Sequence, residues 1–229
     1  MKGYSFCIIT DGKEPEKTGR EIGSILSLHV FPESNFEIIL CGNNVPVMDY
    51  PHGGLSIMRL IELGILRFVP AITLAQNGNL GAMRNLVCDR AYYNTIILAD
   101  DDILFDHDFA WGLEHCEYGD DWDVMAVRIQ NPDGSRYWDW KTHQDGRDQL
   151  LDYSVKWHPA LSLTGGIMVL RKSVRERVRW NNELGFYQGE DVEFTEMLKT
   201  VGLRIRLNLR CLVTHMADYT QSGDVVVRK

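Results

Sequence analysis

The chain has 229 residues, 45% hydrophobic and 24% charged, the composition of an ordinary globular protein long enough to bury one full core. A formal net charge of -8 without any basic run argues against general nucleic-acid binding, and a negatively charged substrate would need a local cation. No stretch approaches the ~20 apolar residues of a membrane span, and the apolar run in Met1 to Thr10 is too short for a signal peptide. The five cysteines are odd in number and lie mostly in apolar runs, so the expectation is a reduced, soluble, cytoplasmic protein, with peripheral membrane contact left open.

Tyr4 to Thr10 reads as a first strand that stops at the turn pair Asp11-Gly12. Thr10 and Asp11 then stand at a strand end where a ligand can bind; a simple turn or cap is the alternative for Asp11. Glu14 to Phe31 reads as a helix, with Ile22, Ile25, Leu26 and His29 at helical spacing, and Phe36 to Gly42 as a second strand running into Asn43-Asn44. Strand, helix, strand makes a right-handed βαβ unit. Val45 to Ala71 is broken by Pro46, Pro51, Gly53 and Gly54, leaving room for a short helix over Leu55–Leu63 and a strand over Ile65–Val69. From Ala75 a polar, Gly-containing turn leads into a helix with Leu80, Met83, Val87 and Ala91 on one face. Free N–H groups at such a helix start, around Asn79 and Gly81, suit a phosphate or a ribose, and Arg84 one turn in can pair with a phosphate or with an aspartate.

Thr95-Ile-Ile-Leu-Ala-Asp100-Asp101-Asp102-Ile103 organises the rest. A β-branched run followed at once by three carboxylates reads as a buried strand that ends by pushing acids into solvent, at the edge where α/β sheets bind ligands. Alternation puts Asp100 and Asp102 on one face and Asp101 on the other. Three adjacent anions raise one another's pKa unless something positive neutralises them, and Mg²⁺ or Mn²⁺ with a phosphate answers that need; a solvated acidic turn is the alternative. Asp106 to Tyr118 reads as a helix, Glu117 to Asp123 as an acidic loop without assigned function, and Val124 to Ile129 as a strand.

Asn131 to His158 has no clear period and is rich in Trp, Tyr, His, Asp and Gly. Aromatic faces among carboxylates suit sugar rings, so the acceptor is expected to be read here, with an ordinary covering loop as the alternative. Ser162 to Arg171 reads as a strand entered through Gly165-Gly166, and Ser173 to Trp180 as a short helix. In the next helix Phe194, Met197, Leu198 and Val201 form a buried face that Glu190 and Asp191 continue past the helix start. Inward carboxylates suit a general base; N-capping is the alternative. Leu203–Leu207 and Arg210–Thr214 are expected as final strands, followed by His215 as a candidate third metal ligand.

The order of these motifs resembles the family 2-like glycosyltransferases of the GT-A fold. The resemblance rests on Asn79-Leu-Gly81-Ala-Met-Arg84-Asn85, Asp100-Asp101-Asp102, Thr164-Gly165-Gly166, Gly189-Glu190-Asp191-Val-Glu-Phe194 and Val213-Thr-His215, and covers nearly the whole chain. It implies a single α/β GT-A domain with a Rossmann-like mixed central sheet flanked by helices. Residues 1–102 would form the nucleotide-binding half, 103–220 the acceptor-binding half and 221–229 a tail. It implies transfer of a sugar from a nucleotide-diphosphate sugar, a UDP-sugar being favoured, to a hydroxyl of a glycan or lipid-linked acceptor. Mn²⁺ or Mg²⁺ would be held by Asp100, Asp102 and His215, and the donor contacted by Thr10, Asp11, Asn43, Asn79, Gly81, Arg84, Asp100, Asp101, Gly165 and Gly166. Asp191 would be the base of an inverting reaction, with Glu190 assisting. Where many relatives end the second strand with Asp-Asp-Gly-Ser, this chain has Cys41-Gly42-Asn43-Asn44, with Asn43 as the substitute reader of the base. Two other readings compete. One is a Mg²⁺-dependent phosphatase of the haloacid-dehalogenase type, which also places Asp-x-Asp after a strand; the other is a module that binds nucleotide sugars or glycans without turnover.

Overall fold

A computed structural model of the chain describes residues 3–28, 35–45, 56–185 and 188–216. In chain order the elements are β1 (Gly3–Thr10), α1 (Pro15–Leu26), β2 (Asn35–Gly42), α2 (Ile57–Glu62), β3 (Leu66–Pro70), α3 (Ile72–Gln76), α4 (Leu80–Asp89), β4 (Thr95–Asp100), β5 (Ile103–Phe105) and α5 (Phe109–Glu114). They continue with β6 (Val124–Gln130), β7 (Trp140–Gln144), β8 (Arg147–Leu150), β9 (Leu161–Leu163), β10 (Ile167–Arg171), α6 (Glu190–Thr200) and β11 (Ile205–His215).

Eight strands make one mixed sheet in the order β3-β2-β1-β4-β10-β6-β11-β5, and β8-β7-β9 make a small antiparallel sheet beside it. In the large sheet β3, β2, β1 and β4 run parallel, β10 reverses, β6 and β11 run parallel to each other, and β5 reverses again. The continuous apolar runs of β1 and β4 follow from burial on both faces. Cys7, Ile9, Ile96 and Leu98 point into a core shared with Met83, Val87, Phe194 and Leu198 of α4 and α6. Their alternating neighbours Phe6, Ile8 and Ile97 point into the other core, with Ile22 and Ile25 of α1 and Phe109 of α5. Cys7, Cys41, Cys88 and Cys211 are buried and Cys116 is half-buried, all as free thiols. No described helix is long and apolar enough to cross a membrane.

Several elements differ from the sequence reading. The first helix is described only over Pro15–Leu26, and His29, Phe31, Pro46, Pro51, Gly53 and Gly54 lie outside the described residues. The helix expected over Asp106–Tyr118 shortens to Phe109–Glu114, because Asp106 to Asp108 form a side-chain turn in which the Asp108 N–H donates to Asp106 Oδ1. Ser162–Arg171 is two strands in two sheets, split at Thr164-Gly165-Gly166. The expected strands Leu203–Leu207 and Arg210–Thr214 are one strand with a register shift between Asn208 and Leu212, where the Asn208 side chain bonds Gly112 of α5 and the Arg210 backbone. Ser173–Trp180 yields only a single 3-10 turn, Lys172–Glu176. The irregular stretch contains the β7–β8 hairpin, turned by Asp145 and Gly146, both at positive φ.

Candidate active site

From β1 the chain crosses through α1 to β2 on one side, whereas β4 pairs with the other side of β1. The crevice beyond the ends of β1 and β4 is thus the topological switch point, where open α/β sheets bind ligands. Thr10 and Asp101 meet there: Thr10 Oγ1 donates to Asp101 Oδ2, the Thr18 hydroxyl of α1 donates to the same oxygen at 3.1 Å, and Thr10 Oγ1 accepts the Gly12 N–H at 2.9 Å. Gly12, at φ 76°, brings the end of β1 against the Asn43-Asn44 turn, since a Cβ there would sit 2.4 Å from the Asn44 amide oxygen. Asp11 is tied to Lys13 by its backbone N–H and its ammonium.

Because β10 is antiparallel to β4, its leading glycines arrive at the same edge. The Gly166 carbonyl accepts the Asp100 N–H at 2.9 Å. The Gly165 N–H donates to Asp191 Oδ2 at 3.2 Å, and the Gly165 carbonyl accepts from Arg84 Nη2 at 3.1 Å. A Cβ at Gly165 would sit 2.7 Å from Arg84 Nη2, so glycine is the residue that admits the guanidinium. Arg84 is 1% exposed and joins Glu190 Oε1 at 2.7 Å and Asp100 Oδ1 at 3.1 Å. Of its two sequence-level options the structure uses the pairing with acids, tying α4, β4, β10 and α6 together. The rest of the Asn79–Asn85 motif also packs: a Cβ at Gly81 would sit 2.3 Å from the Asn181 carbonyl, and the Asn85 amide donates to the Trp180 carbonyl at 2.8 Å. Asn79 stands half-buried at the helix start without capping it through its side chain.

Asp102 and His215 form the far side of the crevice. β11 runs parallel to β6 and pairs with β5, setting His215 opposite Ile103; His215 Nε2 lies 3.3 Å from Asp102 Oδ2, and its ring stacks on Tyr137 at 4.2 Å. Burial pushes Asp101 and Asp102 up to about 7, helped at Asp101 by the charges of Asp102 and Asp100 and at Asp102 by Asp100. Burial likewise pushes His215 below its usual value. The donor set of carboxylates and imidazole suits Mn²⁺ or Mg²⁺. Asp102 Oδ1 and His215 Nδ1 are buried without a hydrogen-bond partner, and three neighbouring acids call for a positive charge. Thus the residues fit a divalent ion, although their donor atoms do not close to within 4.8 Å of one another. Among the described residues the group of three that does is Asp106, His107 and Asp108, an exposed turn at the other end of β5.

Asp191 opens α6 behind Gly189, whose φ of 75° sets the entry angle of the helix. Its carboxylate accepts the Val192 N–H at 2.8 Å and the Gly165 N–H, and stays partly open to the crevice. Two residues that sequence reasoning passed over bear on this site. Lys141 of β7, almost wholly buried, lies 3.9 Å from Asp191 Oδ2 and 2.7 Å from Asp148 Oδ2. It fell in the stretch without a period, and consecutive buried residues Trp140, Lys141 and Thr142 left no alternation by which to find it. Glu21 is wholly buried in α1 beneath the acidic tip, where burial and then Asp101, Asp102 and Asp100 push its carboxyl well above the usual range. Its signal was legible, since Thr18, Glu21, Ile22 and Ile25 follow the helical spacing of a buried stripe.

This sheet, with its strand-end carboxylates, is the GT-A fold. The chain is similar to the solved structures of S. aureus TarS 1-349 (TM-score 0.61, 15% identity, 94% of this chain and 60% of that one) and of the mannosyltransferase PcManGT from Pyrobaculum calidifontis in complex with GDP-Man and Mn²⁺ (0.64, 12%, 95% and 58%). It is also similar to GalNAc-T7 with UDP, GalNAc and Mn²⁺ (0.65, 14%, 96% and 44%). The chain therefore spans between 44% and 60% of the length of these structures. No protein-family model and no curated protein matches it.

Proposed function

We propose that the chain is a glycosyltransferase that moves a sugar from a nucleotide-diphosphate sugar to an acceptor hydroxyl, with inversion at the anomeric carbon. The observation that carries this reading is the convergence on one sheet edge of Asp100, Asp102 and His215 with the partly open carboxylate of Asp191. In it, residues 1–102 hold the nucleotide, with Asn43 toward the base, and residues 103–220 hold a glycan or lipid-linked acceptor. Asp100, Asp102 and His215 would hold Mn²⁺ or Mg²⁺, which when bound supplies charge to offset that growing on the leaving diphosphate.

Asp191 takes the proton of the acceptor hydroxyl as it attacks. Its two backbone N–H bonds, from Val192 and Gly165, fix the carboxylate and leave lone pairs free for that proton. Glu190 does not reach the substrate in this reading; held by Arg84, it anchors the helix start that aims Asp191. Tyr137 beside His215 and Lys141 beside Asp191 bring the 131–158 stretch to the crevice, which favours it as the acceptor-reading wall. The test is donor turnover: Asp191→Asn should retain Mn²⁺-dependent nucleotide binding and lose sugar transfer. Near-normal turnover would remove Asp191 as the base, and binding without any turnover in the wild-type chain would favour a non-catalytic module.

A further inference from the structure

The sheet has a second opening at the end remote from the crevice. A cavity of about 900 Å³ lies there against the starts of β1, β2 and β4 and the end of β10. Thr95 lines this cavity and Asp100 the other site, and as the first and last residues of β4 they stand roughly 17 Å apart.

The cavity wall combines aromatic faces with polar groups. Tyr93 is clamped on the backbone of β1, where a Cβ at Gly3 would sit 2.1 Å from its ring, and Tyr92 meets it edge to face at 5.0 Å while remaining 75% exposed. Trp122 is covered by the Arg171 guanidinium, 3.9 Å from the ring centre, and Arg171 pairs with Asp120 at 2.7 Å. The Tyr4 hydroxyl, also in the lining, donates to Glu114 at 3.3 Å.

From this wall we infer that the cavity binds a neutral oligosaccharide, separately from the nucleotide-sugar crevice. Sugar rings lay their C–H faces on accessible aromatic rings and give their hydroxyls to carboxylates and guanidinium groups; Tyr92 and Tyr93 supply the first, Trp122 being buried under Arg171, and Glu114, Asp120 and Arg171 supply the second. The volume lies within the roughly 300–1,000 Å³ usual for ligand sites. Two carboxylates face a single cation among the charged lining residues, which disfavours phosphate and polyanions. The choice of a glycan as occupant rests on the transferase reading, in which a long acceptor reaches the crevice from one end and this cavity from the other.

Calorimetric titration of the whole chain with cellohexaose, maltohexaose and chitohexaose tests this. At least one hexasaccharide should bind, about tenfold more weakly to Tyr92→Ala, more weakly to Asp120→Ala, and equally well to Asp102→Ala. Both groups removed at the cavity are exposed, so their loss spares the fold. Binding of none of the three, or equal binding by Tyr92→Ala and Asp120→Ala, overturns the inference, and so does loss of binding in Asp102→Ala, which would assign the sugar to the crevice. Failure of the transferase reading is distinguishable, since it shows as absent sugar transfer or absent Mn²⁺-dependent nucleotide binding while hexasaccharide binding at the cavity persists.

Discussion

Replacing Arg84 by leucine would test what holds the crevice together. The guanidinium is 1% exposed and neutralises Glu190, whose side chain is 8% exposed, and Asp100, which is 32% exposed. Removing one partner of a buried ion pair costs about 3–5 kcal/mol, because the charge left behind stays desolvated. Asp100 reaches water and relaxes, so most of the cost falls on Glu190, and the lost bond to the Gly165 carbonyl adds about 1 kcal/mol. An Arg84→Leu chain should therefore lose about 4–6 kcal/mol in urea unfolding, or about 8–24 °C in Tm. Arg84→Lys should recover only part of this, since a point charge cannot bridge two acids and a carbonyl at once. Adding Glu190→Leu to Arg84→Leu removes the orphaned charge, so the double variant should be more stable than the sum of the two single losses by at least about 1.5 kcal/mol. A loss below about 1 kcal/mol for Arg84→Leu, or strict additivity in the pair, would refute the reasoning.

Other outcomes follow from the same geometry. Gly165→Ala drives a methyl group against Arg84 and should destabilise by about 1–3 kcal/mol while displacing Asp191; unchanged stability and turnover would contradict the close packing seen there. Asp101 and Asp102 titrate near pH 7 in the fold, far above their unfolded values, so the folded metal-free chain holds the extra protons and loses stability as pH rises toward about 7. The depressed His215 acts in the opposite sense below its ordinary 6.5 and offsets part of the effect of the two aspartates, so in EDTA the Tm should fall between about pH 5 and about pH 7 and level off above that, and a Tm that rises over that range would contradict it. Mn²⁺ affinity should rise over the same range as the proton is displaced, which a calorimetric pH series would read.

The fold was legible wherever burial made the pattern strong. β1, β4 and β6 could be read because strands covered on both faces are long apolar runs, and α6 because Phe194, Met197 and Leu198 keep its period, although Val201, expected on the same buried face, lies past the helix end and is exposed. The β7–β8 hairpin was hidden because Lys141 and Thr142 are buried polar residues, which break the apolar alternation that signals a strand. The split at Gly165-Gly166 was hidden because its cause is Arg84, 81 positions away in sequence. Within the site, sequence order alone suggested the carboxylates and His215, yet the role of Arg84 needed the structure. A buried arginine that ties acids together and an exposed one that meets a phosphate look identical in a sequence.

The most direct test of a nucleotide-sugar site at the strand ends is a thermal-shift series with UDP, GDP and CDP, each in Mn²⁺ and in EDTA, on the wild-type chain and on Asp102→Ala. One nucleotide at ~100 times its Kd should stabilise the wild-type chain by about 2.7 kcal/mol in Mn²⁺ only, and Asp102→Ala should lose that gain while remaining folded. No shift with any nucleotide, or an equal shift in EDTA and in the variant, would contradict the account.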